Sequence, residues 1–273
     1  MCTYWIPTNS LLPREICNTT REMLDELDGR GLGVSVSIDG DSETHNHIRG
    51  TPGGYNKAID TIQRLSELRE AYPGLEITVG MTVTPKNVTQ INQVAQFAQD
   101  HKADFSFRPV NFSGIYYRNK SGEIVEGYDM RSSRKHVHKL ITNLVRTRGI
   151  LKSLTRIVYM KGALEYMEKG RRTLRCTAAS RSLFLDPYGN VYPCLFKETK
   201  LGNIREQTLK EIWNSPAAKK TRMEINQLKC PQCWVECEVY RELKNAPLRL
   251  ISSVLTVVSV LLSSLLHGNR TRS

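Results

Sequence analysis

Over residues 1–110 the sequence alternates between two hydrophobic periods, and this restricts the fold more than any other feature. Thr3–Thr8 (TYWIPT) has the composition of a short strand. Leu12–Leu27 follows at helical spacing, with Pro13 in the first turn, where a missing N–H costs little. Gly33–Asp39 (GVSVSID) alternates Val and Ile with Ser, the period of a strand. Tyr55–Leu68 places Ala58, Ile62, Leu65 and Leu68 on one helical face. Glu76–Thr84 (EITVGMTVT) reads as a strand closed by Pro85. Ile91, Val94, Ala95 and Ala98 mark another helix, and Asp104–Val110 (DFSFRPV) a fourth strand. Four strands separated by three helices predict an α/β fold of parallel βαβ units with right-handed crossovers. A parallel sheet of this kind carries its functional loops at the carboxyl ends of its strands.

Five of the seven cysteines fall between Cys176 and Cys237. The chain has 273 residues and 40% hydrophobic content, enough to build a core without covalent staples. Its start, MCTYWIPTNS, has neither the basic opening nor the apolar run of a signal peptide, which predicts a cytoplasmic protein. Clustered cysteines in a reducing compartment point to metal binding or redox chemistry. The spacing is C-x12-G-x4-C from Cys176 through Gly189 to Cys194, then CPQC at Cys230 and Cys233, then Cys237. DPYGN (Asp186–Asn190) has the Pro and Gly of a turn, and the hairpin it predicts lets Cys176 and Cys194 approach each other. CPQC is a tight knuckle that presents two thiolates to one ion or cluster. Four thiolates suit tetrahedral zinc or a 4Fe-4S cluster, and the spacing alone leaves both open.

The net charge is +12, and Arg131–Arg175 holds thirteen Lys/Arg against two Glu. Two basic helices are expected, about Arg131–Arg148 and Thr155–Lys169. Their charge is either a pair of solvated faces or a seat for an anionic partner. No aromatic residues interleave it as a single-strand platform requires, so nucleic acid is not the expected partner. Leu250–Leu266 is a 17-residue run without charge, flanked by Arg249, Arg270 and Arg272. It reads as a hydrophobic helix: a short membrane anchor, an interfacial helix or a cover for the sheet.

The segment C…LFLDPYGNVYPC…LGNIREQTLKEIWNS…CPQCWVEC resembles the SPASM/twitch auxiliary-cluster domain of radical S-adenosylmethionine enzymes. The resemblance implies that Cys176, Cys194, Cys230 and Cys233 ligate one auxiliary 4Fe-4S cluster, with Cys237 as a fifth thiol able to substitute or to begin a second site. The upstream half is similar to the barrel of the same superfamily. PTNS (Pro7–Ser10) resembles the TNG motif ending the third barrel strand. SVSIDGDSETHNHIRG (Ser35–Gly50) resembles the fourth strand and its continuation. TVTPKN (Thr82–Asn87) and FRPV (Phe107–Val110) resemble the fifth and sixth strand ends. The resemblance implies cofactor-binding roles toward S-adenosylmethionine for Asn9 and Ser37. Asp39 and Arg49 read equally well as structural, capping a loop and pairing with an acid.

On this basis residues 1–127 are a partial (β/α)6 barrel, strands three to six. Residues 128–172 form a basic helical connector, 173–246 the auxiliary-cluster domain and 247–273 the hydrophobic tail. The superfamily's catalytic CxxxCxxC motif does not occur in the sequence, whose only cysteines before Cys176 are Cys2 and Cys17. This predicts an N-terminally incomplete form, which takes up S-adenosylmethionine only if the missing part is supplied. The implied activity of the intact form is radical modification of a peptide, sugar or lipid-linked substrate. The competing readings are a zinc-stabilised binding module with a basic face for an anionic partner, and a remnant without function. The chain alone is expected to release no 5′-deoxyadenosine from S-adenosylmethionine under reducing conditions. Its detection by chromatography would overturn the incompleteness.

Overall fold

The computed structural model describes residues 3–27, 30–114, 116, 118, 119 and 127–243. The hydrophobic segment Leu250–Leu266 lies outside them. Among the described residues no helix is long and apolar enough to cross a membrane. The described chain divides into two compact units. The first comprises residues 3–108 and 131–140, the second residues 109–130 and 141–243. These divisions differ from the four spans read from the sequence. The segment after residue 108 joins the cysteine-rich unit, and the first basic helix is shared between both.

The first unit is α/β. Its strands are β1 (Thr3–Thr8), β2 (Gly31–Ser37), β3 (Leu75–Val83) and β4 (Asp104–Pro109), ordered β1-β2-β3-β4 in one sheet. β1, β2 and β3 run parallel. Leu32, Val34 and Val36 of β2 lie opposite Leu75, Ile77 and Val79 of β3, and all six are buried. An apolar row in register on neighbouring strands is what a covered sheet face requires. Gly33 is buried as well, because the Trp5 ring of β1 occupies the space a β-carbon would take. Helices α1 (Pro13–Glu26), α2 (Ser42–Arg49), α3 (Gly54–Ala71) and α4 (Ile91–Asp100) connect the strands. α3 buries Ala58, Ile62, Leu65 and Leu68, the face expected from their spacing.

α2 was not evident from apolar periodicity, since SETHNHIR contains a single aliphatic residue. Polar caps form it instead. Asp41 accepts from the Thr44 N–H at 2.9 Å, and Gly50 closes the helix at φ +61°. Next to it, Asp39 is wholly buried. Its carboxylate accepts from Arg49 Nε at 2.6 Å and from the Thr82 N–H at 2.8 Å. Asn87 Nδ2 donates to the Asp39 carbonyl at 2.8 Å. These bonds clamp the carboxyl end of β2 to that of β3. They support the structural reading of Asp39 and Arg49.

The basic helices are α5 (Met130–Arg148) and α6 (Ile150–Lys169), separated by Gly149. The second unit continues with a small antiparallel sheet, β5 (Phe184–Leu185), β6 (Asn190–Tyr192) and β7 (Gly202–Asn203). The turn between β5 and β6 forms as expected. Gly189 takes φ +86°, and Asp186 Oδ1 accepts from the N–H groups of Tyr188 and Asn190 at 2.9 and 2.8 Å. Helices α7 (Leu209–Asn214), α8 (Pro216–Asn226) and α9 (Glu236–Leu243) complete the unit. A Thr208–Glu211 capping box starts α7, and Ser215 with Pro216 starts α8.

Trp234 is the largest buried side chain of this unit, 1% exposed. Its indole Nε1 donates to the Tyr159 carbonyl at 3.1 Å, and its backbone N–H donates to Asn111 Oδ1 at 3.2 Å. Tyr166 OH donates to the same Asn111 oxygen at 3.1 Å. The indole fills the space a β-carbon would take on Gly162 of α6. Gly162→Ala is therefore expected to overpack this contact and destabilise the unit by about 1–3 kcal/mol. Denaturant unfolding should show a lower midpoint at unchanged slope.

Candidate metal centre

The turn at Gly189 returns the chain so that Cys176 and Cys194 face a common patch. Both pack against buried Ala178, Ala179 and Ile225, and Cys230 packs on the same patch. Cys233 is buried with Phe196 and Val235, and Cys194 touches that second cluster too. Cys194 thus joins the hairpin pair to the CPQC pair. Cys237 sits on α9, exposed to solvent, yet electrostatically within reach of Cys194. All five predicted cysteines are brought to one neighbourhood. Among the described residues no three His, Cys, Asp or Glu side chains gather tightly enough to share one metal ion.

Ordinary polar contacts hold the two cysteine pairs together. Lys197, three residues after Cys194, donates to the Lys229 carbonyl at 3.3 Å and pairs with Glu224 at 2.8 Å. The chain leading out of the hairpin is thereby tied to the chain leading into Cys230. Arg222 of α8 donates to the Ala179 carbonyl at 2.7 Å and lies over the Trp213 ring. Cys233 is fixed directly, because the next residue is the anchored Trp234.

Burial dominates the chemistry of the thiols. It pushes Cys176 up to about 11, against the favourable charge of Arg172. Burial raises Cys233 well above the ordinary thiol value. Cys194 is also raised by burial, although its sulfur accepts from the Phe196 and Lys197 N–H groups at 3.5 and 3.3 Å. Those two donors point at a sulfur and favour a charged thiolate. Cysteine sulfurs, one of them accepting two backbone N–H groups, are soft donors of the kind that fits a soft metal or iron–sulfur cluster. Metal binding to neutral thiols releases protons, so affinity rises with pH.

Sequence reasoning missed two charged residues. Glu238 and Arg172 are both buried beside these cysteines. The position of Glu238 next to Cys237 was the available signal. Asn9 and Ser37 lie in the first unit, apart from the cysteines in sequence and unit. They follow or end adjacent strands, since Thr8 is opposite Val36 in the β1–β2 register. Asn9 is exposed and accepts from the Leu11 N–H at 3.2 Å, and Ser37 is half-buried. Cys17 is buried on α1, its sulfur 3.8 Å from the Arg64 carbonyl. Cys2 lies outside the described residues.

The model of the SPASM iron–sulfur cluster-binding domain matches residues 176–238. The subtilosin biosynthesis protein AlbA of Bacillus subtilis is 31% identical over 191 residues, covering 68% of this chain and 38% of AlbA. The chain is a SPASM-domain protein of the radical SAM type. An AdoMet-dependent heme synthase of Methanosarcina barkeri is 25% identical, over 77% of this SPASM protein and 61% of the synthase. The sporulation killing factor maturation protein SkfB of Bacillus subtilis is 24% identical, over 77% and 46% of the two chains. The chain therefore spans 38–61% of the length of these relatives. The solved structure of anSMEcpe with bound AdoMet covers 93% of this chain and 73% of its own, at 18% identity and a TM-score of 0.50. At that identity the likeness is one of fold.

The raised thiols predict a pH dependence of the metal-free protein. An acid whose folded value is raised binds its proton more tightly when folded, so it adds stability below the unfolded value and loses it above. For Cys176 the window runs from 9.0 to about 11. The urea midpoint of metal-free protein should fall as pH rises through this window. Cys176→Ser should flatten that fall.

Proposed function

We propose that the SPASM unit holds one auxiliary 4Fe-4S cluster through Cys176, Cys194, Cys230 and Cys233, with Cys237 at its rim. The cluster serves the radical modification of a peptide. The observation that carries the ligand set is the position of Cys194, in contact with both buried cysteine patches. Each iron of such a cluster takes its own thiolate, so the ligands need not converge on a point, whereas tetrahedral zinc requires four sulfurs at about 2.3 Å from one ion. When bound, the cluster supplies electron storage and a soft anionic surface. The protein's residues supply the thiolates, exclude water and orient the sulfurs.

The barrel-like unit supports a role in S-adenosylmethionine chemistry by its fold. Asn9 and Ser37 stand at the carboxyl ends of adjacent strands, where such sheets place ligands. Ser10 beside Asn9 adds a buried hydroxyl without a hydrogen-bond partner. Reductive cleavage requires a second, catalytic cluster. Among the described residues of the first unit Cys17 is the one cysteine, bound into a helix interface with its sulfur 3.8 Å from the Arg64 carbonyl. A peptide substrate is favoured by the likeness to AlbA, which is 31% identical and is named for bacteriocin biosynthesis.

Iron, acid-labile sulfide and zinc counted in anaerobically purified protein test the cluster. About four irons and four sulfides per chain are expected, following the 4Fe-4S stoichiometry, and they should be lost in Cys194→Ala. About one zinc without sulfide would replace the cluster with a structural ion.

A further inference from the structure

Two buried charges of opposite sign flank the cysteines within the SPASM unit. Glu238 is 5% exposed. Its Oε2 lies 4.0 Å from Cys176 Sγ, and its Oε1 accepts from Ser182 Oγ at 2.9 Å. Arg241 Nη1 stands 3.8 Å from the same carboxylate, a long contact from a side chain 37% exposed. Arg172 is 4% exposed. Its Nε donates to the Leu174 carbonyl at 2.7 Å and its Nη2 to the Arg175 carbonyl at 2.9 Å. These bonds lock the guanidinium against the segment that delivers Cys176.

Neither placement is what packing alone would select. On α9 the neighbours Val239 and Leu243 are buried and apolar, and an apolar residue at 238 would avoid desolvating a charge. Facing a carboxylate toward sulfurs that must become anionic adds repulsion between like charges at short range. A local rule broken without gain in packing marks a functional position. Ser182 and Arg241 hold the carboxylate in place, so its field on the site is fixed. The guanidinium supplies a fixed field of the opposite sign.

We infer that Glu238 and Arg172 form an opposed pair that sets the reduction potential of the auxiliary cluster. This rests on the cluster reading above. Reduction adds one electron from an external donor (dithionite in the assay) and breaks no bond. The carboxylate disfavours the added negative charge and lowers the potential. The guanidinium favours it and raises the potential. Both residues act as tuning groups, without ligating iron.

The test is a redox titration of the iron-loaded full chain, followed by absorbance and electron paramagnetic resonance, with iron counted in each sample. Glu238→Gln should be about tenfold more reduced at a given potential, an upward shift of 59 mV for one electron. Arg172→Gln should shift in the opposite direction, and Arg172→Lys, which keeps the charge, should stay near the parent. Iron-loaded Glu238→Gln with an unchanged midpoint overturns the inference, as do shifts of the same sign in both neutral variants. Loss of iron from Glu238→Gln also overturns it, because the carboxylate is then a ligand or a prop. Absence of iron from the parent chain itself removes the cluster reading before any variant is compared.

Discussion

The arrangement of the cysteine-rich unit depends on the burial of Trp234. Cys194 and Cys230, 36 residues apart, pack against one buried patch. Trp234 provides the fixed point. Its ring closes on Gly162, its indole N–H is bound by Tyr159, and its backbone is bound by Asn111. Cys233 is covalently adjacent and inherits that position. Lys197 then ties the hairpin side to the knuckle side through Lys229 and Glu224. Burial raises the Cys176, Cys194 and Cys233 thiols above the ordinary thiol value, so it favours their neutral form.

The first unit follows a different logic. Its strand ends are shaped by a polar brace around Asp39, which sits with no exposure and takes bonds from Arg49 and Thr82. A buried carboxylate is stable only when so paired. The brace holds the loops after β2 and β3 in a fixed arrangement, with Ser37 beside it. This gives an α/β sheet whose carboxyl edge is braced by hydrogen bonds at β2 and β3.

Much of this was legible in the residues. Apolar spacing located α1, α3, α4 and all four strands of the first unit to within a few residues, because packed faces leave a periodic trace. The DPYGN turn and the five-cysteine set were equally clear, since turn chemistry and thiol clustering are local and specific. α2 was not legible, because capping residues form it and not an apolar stripe. Arg172 escaped notice because nothing in a run of charges tells which member is turned inward, and for Glu238 the one signal was its place next to Cys237. Asn111, far from Trp234 in sequence, bonds its backbone only through the tertiary fold. The unit boundary near residue 108 was missed for the same reason, since long-range contacts set it and composition does not change there.

X-ray absorption at the iron and zinc edges of anaerobically purified protein tests the central claim most directly. The account predicts iron in an all-sulfur first shell with clear iron–iron scattering behind it. Zinc in a four-sulfur shell without metal–metal scattering would contradict it, and would make the SPASM unit a structural metal module.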